Sequence, residues 1–167
     1  MTPYQTLPNP PNEVSEGAIL ARLVDGIGFR YRIATEGLTM NEINFRPTEE
    51  SMDMSQLLLH IYQLISWTST AFKLPYTTKK EFTDFDELRI ETLELSQQFS
   101  QFLFNLSAVD IEKVSVYLKR KDQHFPFWYL INGPLADALT HIGQVNSWRR
   151  IAGNPIPRIS PFNGEAY

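Results

Sequence analysis

Three side chains stand out as able to do chemistry together: His60, Asp137 and His141. The chain has three histidines and no cysteine. That removes thiolate nucleophiles, disulfides and cysteine-type zinc sites. Asp137 and His141 are four apart, one turn of a helix, and Gln144 and Trp148 continue the same face. Leu130, Pro134, Ala138 and Val145 flank that face, so Asp137 and His141 are expected to point inward or into a cleft. His60 interrupts the apolar run "LLLHIYQLISW" at 57–67. Two imidazoles and one carboxylate can hold a divalent ion and leave coordination positions open. The plainer reading stays beside this one. A lone histidine in an apolar stripe is usually a core residue with a hydrogen-bond partner. Asp137 and His141 could be an ordinary i,i+4 pair, contributing a few tenths of a kcal/mol. The third histidine, His124 in "KRKDQHFPFW", reads as an exposed or capping residue.

These residues need helices to carry them. A first helix starts between Asn12 and Ser15, and Leu20, Val24, Ile27, Tyr31 and Ala34 follow in one apolar stripe. Gly37 is suited to cap its C-terminus. The stretch "LTMNEINFRPTEESM" reads as a connector, with Pro47 excluding helix just before it. Asp53 and Gln56 form a capping box for a second helix that buries Leu57, His60, Ile61, Leu64 and Trp67 or Thr68. Asp84 and Glu87 open a third helix, with Leu88, Leu95, Phe99, Phe102 and Leu106 inward. The alternation in "VSVYLKR" (114–120) fits a short strand, whose one plausible partner lies around 124–128. A fourth helix is expected from Phe125-Pro126 to Gly153, kinked at Pro134. Trp67 and Trp148 read as core aromatics.

The expected architecture is therefore all-α: a four-helix bundle in one domain over 1–167. Residues 1–13 form an extended arm, 14–152 the bundle and 153–167 a tail lying over it. A short extended segment can lie between helices three and four. That connection is too long for a tight hairpin, so at least one neighbouring pair is not a simple antiparallel hairpin.

Composition narrows the function classes. Of 167 residues, 43% are hydrophobic and 20% charged, ordinary for a globular chain. The net charge of −4 and the lack of a basic face argue against nucleic-acid binding. "KRK" at 119–121 and "RR" at 149–150 read as solvated helix or loop ends. No apolar run is long enough to span a membrane, and the N-terminus lacks a signal-peptide pattern. A cytoplasmic location is expected.

Two stretches carry a resemblance. "LTMNEINFRPTEESMDMSQLLLHIYQLISW" and "FWYLINGPLADALTHIGQVNSWRRIAGNP" resemble the connector, second helix and last helix of the DinB/YfiT-like superfamily. The likeness spans most of residues 14 to 157. It implies a four-helix bundle of unusual connectivity, often dimeric, and a divalent metal held by histidines. Known members include metal-dependent thiol transferases and a mycothiol-dependent isomerase. By position, His60 matches the helix-two ligand and His141 the second histidine of a His-x-x-x-His pair. Asp137 stands where the family has the first histidine, and Ile142 where many relatives have arginine. A carboxylate for an imidazole favours a harder ion. The resemblance implies Zn²⁺, Ni²⁺, Fe²⁺ or Mn²⁺ at His60, Asp137 and His141, with a low-molecular-weight thiol and a small electrophile as substrates. Metal-assisted hydrolysis would use the same open position. The rival from another class is a non-catalytic bundle, a dimer or interaction protein with a structural or vestigial metal site. No residue is assigned as catalytic.

Overall fold

Capping side chains set where three of the four long helices begin. The computed structural model describes residues 2–165. The Ser15 hydroxyl accepts from the Ala18 N–H at 3.1 Å and opens α1 (Glu16–Thr35). Asp53 and Gln56 satisfy each other's backbone N–H groups at 2.8 and 3.0 Å and open α3 (Met54–Ala71). Asp84 accepts from the Glu87 N–H at 2.9 Å and opens α4 (Phe85–Phe104). Glu87 does not return the bond to Asp84. Its carboxylate takes the Thr83 N–H and the Lys79 ammonium, each at 2.7 Å, which together hold its pKa down to about 2. Gly37 follows the end of α1 at φ +70°, the left-handed backbone that a helix stop requires.

Two single-turn helices were not anticipated: α2 (Met40–Ile43), inside the first connector, and α5 (Ala108–Glu112). Each has a complete capping box, Thr39 with Glu42 and Ser107 with Asp110. That lets so short a helix persist by satisfying orphan N–H groups locally. The extended segment is a hairpin. Strand β1 (Ser115–Leu118) pairs antiparallel with β2 (Gln123–Pro126), Ser115 opposite Pro126 and Leu118 opposite Gln123. Asp122 turns the chain at φ +50°.

The hairpin corrects the expected start of the last helix. Phe125 and Pro126 belong to β2, and helix begins only at Trp128, as α6 (Trp128–Leu130). A wide π turn over Ile131–Leu135 follows, then α7 (Ala136–Ile151). The expected kink is present. Its irregular residue is Gly133 (φ −89°, ψ −108°), immediately before Pro134. The proline clashes with an α conformation at the preceding residue, and glycine absorbs the misfit.

The long helices do not stack in chain order. α1 packs against α4 and α7, and α3 packs against the same two. So α1 and α3 sit diagonally, as do α4 and α7, and among the described residues α3 and α4 are the consecutive long helices that also pack side by side. Gly17 allows the close α1–α4 crossing, because a Cβ there would lie 2.4 Å from the Leu103 carbonyl oxygen. Ile27, Phe29, Tyr31, Leu57, Leu58, Ile61, Leu93, Leu95 and Phe99 form the centre of the core. Burying each large apolar side chain contributes on the order of 1.5–3 kcal/mol before entropy is counted.

Several burial expectations need correction. Thr68 is buried and Trp67 is exposed, so the α3 stripe passes through the threonine. Phe102 and Leu106 are only half-buried. Arg149 is buried while Arg150 is exposed, so "RR" is not simply a solvated end. "KRK" at 119–121 is exposed as expected. The N-terminal arm is not free: Tyr4 is buried over Gly28, and its hydroxyl donates to Asp25 at 3.2 Å. The tail returns to the same region, where Gly164 lies against Leu7 and Phe29. Met1 of the arm and Ala166 and Tyr167 of the tail lie outside the described residues. No helix among the described residues is long and apolar enough to cross a membrane.

Candidate metal centre

The α3–α7 packing brings His60 to Asp137 and His141. Arg46 sets the start of α3. Its guanidinium donates to the Ser51 carbonyl, to Asp53 Oδ2 at 2.9 Å and to Gln56 Oε1 at 3.3 Å. The connector is thereby tied to the capping box itself. From that start, Leu57, Leu58, Ile61, Ile65 and Thr68 face the core, and His60 falls at the edge of the stripe. On α7 the buried stripe is Ala138, Ile142, Val145 and Arg149. Asp137, His141, Gln144 and Trp148 do share a face, as their spacing predicted. That face is the flank of the core stripe, one residue out of phase with it.

The cluster is therefore more open than expected. The side chains of His141, His60 and Asp137 are 16%, 32% and 49% exposed. Asp137 does not point inward; water reaches its carboxylate. Of the two expected placements, inward or in a cleft, the inward one is excluded for Asp137, which sits in the first turn of α7 with its side chain half exposed.

The distances suit a cation. Asp137 Oδ1 lies 3.4 Å from His141 Nε2, and Oδ2 lies 4.0 Å from His60 Nε2. One donor atom from each residue falls within 4.8 Å of the others, the one such cluster among the described residues. The two imidazoles meet edge-on, with centroids 4.9 Å apart. A tetrahedral ion with bonds of about 2.0–2.1 Å spaces its ligands by about 3.3 Å. The Asp137–His141 pair already has that spacing. The His60 side needs a closure of roughly an ångström, within reach of side-chain rotation.

Gln144 completes the chemistry of the donor set. Its Oε1 lies 2.7 Å from His141 Nδ1. An amide oxygen only accepts, so this bond puts a proton on Nδ1; the neutral ring then carries its lone pair on Nε2, facing Asp137. Two lone pairs 3.4 Å apart repel unless a cation or a proton lies between them. From the sequence, Gln144 one turn after His141 could orient a ligand or satisfy a buried carbonyl; in the structure its amide oxygen meets the His141 ring instead. The i,i+3 spacing was the available signal.

The remaining candidates separate cleanly. His124 is exposed on β2 and lies tilted against Tyr117 across the hairpin, with centroids 5.1 Å apart. It takes no part in the cluster. Trp148 is half-buried and tilts against Phe45 at 6.3 Å. Arg149 carries no chemistry. It ties the end of α7 to the end of α1 by donating to the carbonyls of Ala34 and Glu36 at 3.0 and 2.8 Å. It was missed because two adjacent arginines are indistinguishable until the helical phase is known.

No protein-family model matches the chain, and no curated protein does. Among solved structures there is a match to YfiT from Bacillus subtilis, described as a probable metal-dependent hydrolase with an unusual four-helix bundle topology. The alignment covers 89% of this chain and 95% of that one, with a TM-score of 0.67. The fold is DinB/YfiT-like. At 13% identity the likeness is one of fold. In this chain the diagonal order of the long helices sets α3 beside α7.

Proposed function

We propose that this chain is a metal-dependent enzyme whose divalent transition-metal ion is held by His60, Asp137 and His141. The reading rests on one observation: three donor atoms of suitable chemistry lie within 4.8 Å on two neighbouring helices. Gln144 supports it by holding the His141 tautomer that presents Nε2. Zn²⁺, Ni²⁺, Fe²⁺ and Mn²⁺ all suit two imidazoles and a carboxylate, with the carboxylate favouring the harder members.

Such an ion, when bound, supplies Lewis acidity that lowers the pKa of a thiol or water occupying an open position. The residues do the rest. His60 and His141 approach from two helices and define one side of the site. Asp137 balances the ion's charge. Its half-exposed position leaves the rim of the cluster open to solvent, the side from which a small molecule would approach. The substrates in this reading are a low-molecular-weight thiol and a small electrophile, giving thiol S-transfer. The thiol must come from outside, since the chain has no cysteine. A homodimer in the cytoplasm, acting on small molecules and not on nucleic acid or membrane, belongs to the same proposal.

Hydrolysis is the second reading, supported by the description of YfiT. It needs only water at the same position. Metal content of the purified chain, without an affinity tag, tests the shared part. About one first-row metal per chain supports it; no metal, and none taken up on titration, overturns it. Turnover of electrophiles that requires both metal and added thiol separates S-transfer from hydrolysis. Bound metal with neither activity would leave the non-catalytic bundle.

A further inference from the structure

A groove of about 520 Å³ runs between α1 and α7, on a different face of α7 from the His–Asp–His cluster. It exists because two glycines line it. Gly26 on α1 and Gly143 on α7 lie on its walls. A Cβ on Gly143 would meet nothing within 4 Å, and one on Gly26 would meet only the Arg30 guanidinium, at 3.1 Å. Leu23, Leu139 and Ile142 form the apolar part of the wall.

The charged groups are of one sign. Arg22 and Arg30 stand one turn before and one turn after Gly26, about 12 Å apart along α1 at 1.5 Å per residue. No carboxylate lines the groove. Among the described residues the arginines in ion pairs are Arg32 and Arg46, not these two. Each spends one bond on a backbone carbonyl, Arg22 on Pro8 at 2.5 Å and Arg30 on Gly26 at 3.1 Å. A guanidinium has five N–H donors, so both keep donors to offer. Asn146 lines the same groove, and its buried Oδ1 has no hydrogen-bond partner. In a chain of net charge −4, this concentrates positive charge beside apolar surface where the overall field runs the other way.

We infer that the α1–α7 groove binds an organic carboxylate with an apolar body, its head on Arg22 or Arg30 and its body over Leu23, Leu139 and Ile142. Guanidinium and carboxylate match in planar, two-point geometry. The glycines leave the room that the body needs. This goes beyond the proposed metal chemistry and does not depend on it.

The test uses the full chain stripped of metal with chelator, so that no ion competes for the carboxylate. Octanoate and octyltrimethylammonium, similar chains with opposite charge, are titrated by calorimetry. Octanoate is expected to bind saturably and at least about tenfold tighter than the ammonium, the equivalent of one charge-assisted hydrogen bond. Arg30→Gln should weaken octanoate about tenfold by the same reasoning. Gly143→Leu should abolish binding by filling the groove. It should also keep or raise the melting temperature, since leucine is the better helix former and its Cβ enters open space. Octanoate that does not bind, that binds Gly143→Leu as well as the parent, or that binds no better than the ammonium overturns the assignment.

Discussion

Replacing Arg149 with methionine tests whether the end of α7 is clamped to α1 by hydrogen bonds or merely by packing. Methionine keeps most of the aliphatic stem and removes the guanidinium. Arg149 is 3% exposed. Its Nη1 donates to the carbonyls of Ala34, Glu36 and Ile33 at 3.0, 2.8 and 3.4 Å. Its Nε and Nη2 donate to the Asn154 carbonyl and Oδ1 at 2.9 and 3.0 Å. Water can replace the guanidinium at Glu36 and Asn154, which reach the surface. It cannot readily do so at Ile33 and Ala34. Two buried carbonyls left unsatisfied cost about 1–2 kcal/mol each. Losing a cation from the C-terminal end of α1 adds up to about 1 kcal/mol. Relief of the buried guanidinium's own desolvation offsets part of this. The expected loss is about 3 kcal/mol, or roughly 6–12 °C in melting temperature for a chain of this size. Urea unfolding followed by circular dichroism gives the number. A loss below about 1 kcal/mol, with an unchanged denaturant slope, would refute the clamp.

Three further outcomes are expected. His60→Ala and His141→Ala should each bring bound metal close to zero by elemental analysis; full occupancy in either variant would exclude the three-residue site. Gln144→Leu should leave the fold intact and weaken metal affinity about 10- to 100-fold, because His141 loses the bond that fixes its tautomer; unchanged affinity in a metal titration would deny it that role. The Thr39 N–H and hydroxyl, each 2.8 Å from Glu42 Oε2, hold the Glu42 carboxyl down to about 2 from 4.5. The folded value lies below the unfolded one, so its stabilisation is complete above about pH 4.5 and is lost as pH falls toward 2. Glu42→Gln should therefore flatten the pH dependence of unfolding free energy across that window, and an unchanged slope would place the acid sensitivity elsewhere.

The long helices were legible because their starts carry strong caps and their stripes repeat with helical period. Asp53 and Asp84 cap where their sequence context predicted, and Ser15 caps at the end of the range expected for the first helix start. His60, Asp137 and His141 were legible because histidines are few and the i,i+4 spacing is local. Their depth was not. One residue of helical phase separates Ala138, which is buried, from Asp137, which is half exposed, and apolar neighbours flank both in sequence. The hairpin was only half legible, since four-residue strands carry little pattern and Pro126 is equally at home in a first helical turn. Arg149 was misread because burial of a guanidinium depends on carbonyls of α1, more than a hundred residues earlier in the chain.

The diagonal arrangement of the long helices has a consequence for the order of assembly. α3 and α4 can form a local hairpin, but the two sides of the His–Asp–His cluster come from α3 and from α7, the latest of the four long helices in chain order. Until α7 docks, α1 and α3 have only α4 as a shared neighbour, and the apolar faces meant for α7 stay wet. Contacts so distant in sequence are closed late, after the loop entropy of the intervening chain has been overcome. An ion held by His60, Asp137 and His141 is therefore expected to enter late, and its uptake during refolding would mark the docking of α7 on α3.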